Sequence, residues 1–216
     1  MINYLFSGID KERGFTLEQS KYLVSDIKPN SKITFIASVF NNNDKNDSQV
    51  SQYIKLFQQI GIAFNNVNLI DNRITNEFAK KILENTDIIF LMGGSPELQM
   101  QSIKKYKIID DIKKCKLVLG VSAGAMNQSH RVMYRDDFDN FIMKYYNGIG
   151  MVNINIFPHT EINNTNLLKE AKEISKEIPL ILLPNDSFIR IENNKMKIVG
   201  RSYSLYKEKV ILNDLS

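Results

Sequence analysis

The chain has 216 residues, with a hydrophobic share of 43%, a charged share of 24% and a formal net charge of +4. That length suits one domain over residues 1–216 built around a single core, and the balance is that of an ordinary globular protein, which excludes a disordered or fibrous chain. The longest apolar runs, Asp87 to Met92 and Leu180 to Leu183, fall far short of the roughly 20 residues that cross a bilayer, and the lysines are scattered, so neither a membrane nor nucleic acid is expected as a partner.

The first stretch, MINYLF, is apolar but has no basic region before it and no small-residue cleavage site after it. It reads as a strand at Asn3 to Phe6, not as a signal peptide. From there, short apolar or β-branched runs alternate with helix-period segments, the pattern of βαβ units and a parallel sheet. Further strands are expected at Lys32 to Ala37, Ala63 to Leu69, Asp87 to Met92, Lys116 to Val121, Asn153 to Phe157 and Leu180 to Leu183. Helices are expected at Leu17 to Ile27, Ser48 to Ile60, Thr75 to Glu84, Pro96 to Tyr106 and Asn166 to Ile178. The run NNNDKNDS at Asn41 to Ser48 reads as a polar surface loop whose Asp47 or Ser48 caps the next helix. The tail FIRIENNKMKIVG reads as two strands around an Asn193, Asn194 turn. Together these describe an α/β fold: a doubly wound, mostly parallel sheet with helices on both faces and a C-terminal β-hairpin. A single cysteine, Cys115, forms no internal disulfide and suits a reducing compartment, so a cytoplasmic protein is expected.

In such a sheet, ligands gather where the chain leaves the carboxyl ends of the strands. Three places stand out. In LVLGVSAGAMNQ an apolar strand runs through Gly120 and Val121 into Ser122, Ala123 and Gly124, then a helix-compatible segment. This is a G-x-S-x-G elbow, where a sharp strand-to-helix turn pushes the serine hydroxyl into a cleft at a helix amino terminus. In IIFLMGGSPELQM a buried strand ends in Gly93 and Gly94 before a helix with proline near its start. Paired glycines leave backbone N–H groups accessible, which suits an oxyanion hole and equally a tight turn or anion loop. In NINIFPHTEINN a strand ends in Pro158 and His159.

The chain has only two histidines. His130 lies eight residues after Ser122 on what should be one helix, about 12 Å along its axis, too far for a hydrogen bond. His159 follows its own strand at the edge where Ser122 emerges, and is the candidate base.

The strings MGGSPELQM, GVSAGAMNQS and GIGMVNINIFPHT, in that order, resemble the aspartyl dipeptidase (peptidase E) and cyanophycinase family of serine peptidases, which has a class I glutamine amidotransferase-like fold. The resemblance implies Ser122 as nucleophile, His159 as base, and Gly94 and Ala123 as donors of oxyanion N–H groups. Amidotransferases of similar fold carry cysteine at the elbow, so serine here argues against glutamine hydrolysis. Family members often place Asp or Glu after the last core strand. This chain reads LLPNDSFIRI there, with Asn185 at the acid position and Asp186 next to it. Asparagine can fix the imidazole tautomer but cannot offset imidazolium charge as a carboxylate does. Asp186 or the cluster Asp136, Asp137 and Asp139 are the alternatives for the third residue. The resemblance also suggests an acidic amino-terminal residue in the substrate, for which Arg131 or Arg135 would supply the cation, with Gly93 lining the same cleft.

The expected function is therefore a serine peptidase of small peptides, Asp-X dipeptides among them, acting as a monomer or homodimer. A catalytically weak or silent binding protein of the same fold and a small esterase are the alternatives. Two separated histidines and a lone cysteine leave no soft-ligand metal set, and no cofactor is expected.

Overall fold

The computed structural model describes residues 1–135 and 143–213. In chain order it begins β1 (Ile2–Phe6), α1 (Leu17–Asp26), β2 (Lys32–Ile36), α2 (Asn43–Gln59), β3 (Asn66–Ile70), α3 (Asn76–Glu84) and β4 (Ile88–Leu91). There follow α4 (Pro96–Tyr106), α5 (Ile109–Lys114), β5 (Leu117–Val121), α6 (Ala123–Met126), β6 (Arg131–Arg135) and β7 (Met143–Asn147). The last part holds β8 (Ile156–Phe157), α7 (Thr165–Ser175), β9 (Leu180–Leu182), β10 (Phe188–Glu192), β11 (Lys195–Val199), β12 (Ser202–Tyr206) and β13 (Lys209–Asn213).

Seven strands form the main sheet in the order β11-β10-β1-β5-β4-β2-β3. The five from β1 to β3 are parallel, and the β10–β11 hairpin extends the sheet antiparallel to β1. Because side chains alternate across a strand, Tyr4 and Phe6 face one side of β1 and Leu5 the other. On the first side, rings of α1, α2 and the loop between β1 and α1 pack on the sheet: Phe15 against Phe6, Tyr22 edge-on to Phe188, and Tyr53 against Phe35 and Phe90. On the second, Leu5 joins Ala125 and Met126 of α6 in a separate cluster with Ile189 and Leu183. The layered α/β architecture is the one the alternating pattern predicts. A four-stranded sheet, β13-β12-β9-β8, and the β6–β7 hairpin stand apart from the main sheet.

Several details differ from the sequence-based expectation. The run at Asn41 to Ser48 is mostly helix, since α2 begins at Asn43, and neither Asp47 nor Ser48 caps it. The reason lies just before the helix: buried Asn46 donates from Nδ2 to Val39 O at 3.0 Å, anchoring the first turn. The helix after Ser122 is only four residues long. It stops because Asn127 and Gln128 are buried and spend their side chains on tertiary partners: Asn127 donates to Pro96 O at 2.9 Å and Gln128 to Tyr4 O at 2.9 Å. Helix α5 and the β6–β7 hairpin were not anticipated. Nor was the β12–β13 hairpin that follows the expected one.

The packed tyrosines make a pH prediction. Tyr53 is 6% exposed, and burial pushes its phenol up to about 12. In the unfolded chain a phenol ionises near pH 10. The native phenol stays protonated past that point, so its contribution to stability is intact below about pH 10 and is lost between about pH 10 and 12, at about 1.4 kcal/mol per pH unit. Tyr53→Phe keeps the ring and removes the titration. Denaturant melts across that range are expected to show a shallower alkaline decline for the variant; identical slopes would contradict this.

Candidate active site

Strand β5 delivers the chain to Ser122, whose φ of 51° and ψ of −109° lie outside the regions a side chain normally adopts. Two backbone bonds hold it there. Its N–H donates to Phe6 O at 2.9 Å, continuing the ladder with β1, and its carbonyl accepts from Met126 N at 3.0 Å. The flanking glycines are required by contact. A Cβ on Gly120 would lie 2.5 Å from Gly124 O, and one on Gly124 would lie 2.1 Å from Leu91 O. Strand, elbow and helix approach too closely for any side chain at either position.

The Ser122 hydroxyl is half-buried and lies 2.7 Å from His159 Nε2. On the other side of the ring, His159 Nδ1 lies 2.6 Å from Asn185 Oδ1. An amide oxygen only accepts, so Nδ1 carries the proton and donates it, which leaves the Nε2 lone pair to accept from the Ser122 hydroxyl. His159 follows β8, and Asn185 follows β9, which pairs parallel with β8. The two arrive at one sheet edge by that pairing.

The Gly93, Gly94 loop closes the site from the side of β4. A Cβ on Gly93 would sit 3.7 Å from Ser122 Cβ, so this residue lies beside the nucleophile candidate. Gly94 has a φ of 143°, and a Cβ there would meet Ser38 Oγ at 2.1 Å. Ser38, just past β2, donates from Oγ to Gly93 O at 2.8 Å and pins the loop. Ala123 is the first residue of α6, and the first amide to bond back into the helix is that of Met126. The Ala123 N–H therefore has no helical partner, as at any helix start.

The other candidates fall elsewhere. Asp186 is exposed and lies close enough to Arg13 for its charge to raise that guanidinium's pKa, after the larger effect of the Arg13–Asp10 pair. Arg131 is exposed on β6, with its guanidinium over the Tyr145 ring at 5.3 Å. Arg135 ends β6; its side chain, like all of Asp136, Asp137 and Asp139, lies outside the described residues. His130 is not on a helix with Ser122, because the chain turns after α6; it is exposed and covers Gly150, where a Cβ would meet its Nδ1 at 2.8 Å. Among the described residues, no three His, Cys, Asp or Glu side chains gather as a metal set would require.

Three residues at this site went unread in the sequence: Ser7, Gly8 and Ser38. Each lies within two residues of the end of β1 or β2, at the carboxyl edge of the sheet, where ligands gather. Gly8 lies against the histidine pair, since a Cβ there would meet Asn185 Oδ1 at 2.8 Å and His159 Cε1 at 3.4 Å. The loop beyond it is closed by Asp10, whose carboxyl is held down at about 2 by the Arg13 N–H, the Arg13 guanidinium and the Glu12 N–H.

Two solved structures share the fold. A peptidase from an acI-B1 Actinobacterium is 14% identical, with 98% of this chain and 93% of that one covered at a TM-score of 0.70. A candidate peptidase E protein from Listeria monocytogenes EGD-e is 20% identical, with 92% and 97% covered at a TM-score of 0.69. No curated protein matches in sequence. Residues 6–199, from the last residue of β1 to the last of β11, match the family model for peptidase family S51. With the elbow, the glycine loop and the histidine all inside that span, the chain belongs to peptidase family S51 and is a peptide hydrolase.

Proposed function

We propose that this chain is a serine peptidase that cleaves small peptides through an acyl-enzyme on Ser122. The observation that carries the reading is the line of two hydrogen bonds from Ser122 Oγ through His159 to Asn185. In this reading His159 Nε2 takes the hydroxyl proton as Oγ attacks the scissile carbonyl, then gives it to the leaving amine. Water hydrolyses the ester by the reverse sequence. The Gly94 and Ala123 amides supply the donors for the tetrahedral oxyanion. The chain order Ser122, His159, Asn185 differs from the serine, acid, histidine order of α/β-hydrolase esterases, which favours peptide over simple ester chemistry. A fluorophosphonate probe followed by mass spectrometry tests the reading: an adduct on Ser122 is expected, and folded protein without one would sink it. A preference for Asp-X dipeptides is the narrower form, and equal turnover of Ala-X dipeptides would remove it. No helix among the described residues is long and apolar enough to cross a membrane, and the buried lone thiol of Cys115 supports action in the cytoplasm.

Asn185 favours a second reading, a protein of the same fold with weak or no turnover. The amide fixes the tautomer without offsetting the imidazolium charge that forms during attack. Replacing a triad carboxylate by asparagine costs about 10⁴ in turnover when the tautomer is also lost. Here the tautomer is already correct, so the missing charge accounts for less. Asn185→Asp is expected to raise kcat about 10- to 100-fold with little change in KM. Steady-state kinetics on one peptide checks it. No gain in the variant, with no turnover in either protein, would favour the silent reading.

A further inference from the structure

We propose that Ser7 is a positioning residue for the His159 imidazole, with Gly8 leaving the room the histidine and Asn185 need. The inference rests on the Ser122–His159 reading above.

His159 has a φ of 56°, the left-handed region that a residue with a side chain enters only when its surroundings hold it there. It is also exposed, so packing does little to fix it. What holds it is a hydroxyl. The His159 N–H donates to Ser7 Oγ at 2.7 Å, and the same Oγ donates its proton to Leu183 O at 2.7 Å. Thr160 N donates to that carbonyl as well, at 3.0 Å, and Leu183 N donates back to Phe157 O at 3.0 Å. Ser7 is 0% exposed, so water does not compete for either bond.

The second bond matters as much as the first. Leu183 stands two residues before Asn185, so one hydroxyl ties the backbone of the base to the segment that carries its partner. Ser7 is itself fixed at the end of β1, with its N–H donating to Ser187 O at 3.3 Å. The neighbouring residue does the same for the nucleophile, since Phe6 O accepts the Ser122 N–H. Gly8 completes the tripeptide by packing where any Cβ would touch Asn185 Oδ1 and His159 Cε1. Phe6, Ser7 and Gly8 therefore act as one template: carbonyl to Ser122, hydroxyl to His159, open space for the His159–Asn185 pair. Without the Ser7 hydroxyl, the imidazole is free to leave the line to Ser122, and displacements of about 1 Å cost on the order of 10²-fold in rate.

The test is the second-order rate at which a fluorophosphonate labels Ser122, with kcat and KM on a peptide beside it. Ser7→Ala is expected to lower the labelling rate and kcat about 10- to 100-fold, with KM within about twofold, in protein that still unfolds cooperatively. Ser7→Thr and Ser7→Val add the same bulk and differ in the hydroxyl alone, so the threonine variant is expected to label faster than the valine one by a similar factor. Hydrogen exchange on the unaltered protein gives a readout independent of any variant's folding: the His159 amide is expected to be protected although the residue is exposed. Folded Ser7→Ala that labels as fast as the parent overturns the proposal, as does a lower melting temperature with unchanged labelling, or a His159 amide that exchanges like an unprotected loop. Failure of the parent protein itself to label at Ser122 instead removes the peptidase reading on which the proposal stands.

Discussion

Ser122→Ala is expected to lower peptide turnover by about 10⁴ to 10⁶, His159→Ala by nearly as much, and the double variant no further than either alone. The reason is that the hydroxyl and the imidazole act as one unit. Oγ is a poor nucleophile until Nε2 accepts its proton, and Nε2 has no proton to take once Oγ is gone. The geometry motivates this directly, with a single 2.7 Å contact joining the two and a single tautomer available to the ring. The lower end of the range applies if Asn185 already limits the parent. Turnover that remains is that of the oxyanion donors and substrate binding, about 10³- to 10⁴-fold over water in enzymes of this type. Initial rates for the three variants decide it. Losses that multiply in the double variant would mean two independent roles and would contradict a shared proton transfer.

Gly124→Ala is expected to be the most damaging single methyl group in the chain. Its Cβ would sit 2.1 Å from Leu91 O and 2.5 Å from Leu91 C, and these are backbone atoms in the middle of a seven-stranded sheet, with no freedom to rotate away. Overpacking of a rigid site costs about 1–3 kcal/mol and more where backbone must move. A loss of about 3 kcal/mol, read as a melting temperature lower by about 10 °C for a chain of this size, is expected. Any relief must push α6 off β4, which carries Ser122 and the Ala123 amide with it, so fluorophosphonate labelling is expected to fall about 10²-fold as well. Gly61→Ala is the control. That glycine also has a positive φ, of 81°, but a Cβ there meets nothing within 4 Å, so only backbone strain of about 1 kcal/mol is at stake. Equal melting temperatures for the two variants would refute the close-approach argument.

The fold was legible because its signals are local. Parallel strands buried on both faces read as continuous apolar runs, and the helices between them carry the 3.6-residue period, as in α3 and α4. Where the expectation failed, a partner outside the segment overrode a local preference. Asn43 to Ser48 reads as loop by composition, yet Asn46 finds Val39 O and the helix starts early. The segment after Ser122 reads as helix, yet Asn127 and Gln128 find Pro96 O and Tyr4 O and end it after four residues. The single helix that would carry His130 away from Ser122 is not there, and the turn after α6 takes it to Gly150 instead.

The candidate site divides along the same line. By itself the sequence determined that a serine sits in a strand-to-helix elbow between two small residues, that a glycine pair and a histidine each follow a strand, and that the fold is α/β. Each depends on residues within about five positions of one another. That β8, which leads to His159, pairs with β9 in a second sheet and not in the main one was decided by the tertiary structure. Only the tertiary structure decided which side chain meets His159 Nδ1. Asn185 and Asp186 are adjacent, and although the resemblance puts Asn185 at the acid position, the charge of Asp186 made it an alternative; the turn after β9 aims the first at the imidazole and leaves the second in solvent near Arg13. Ser7, 152 positions from His159 in the chain, was beyond any local signal. A hydrogen bond is specified by the meeting of two groups in space, and for residues that far apart, one after a strand of each sheet, only the completed fold brings them together.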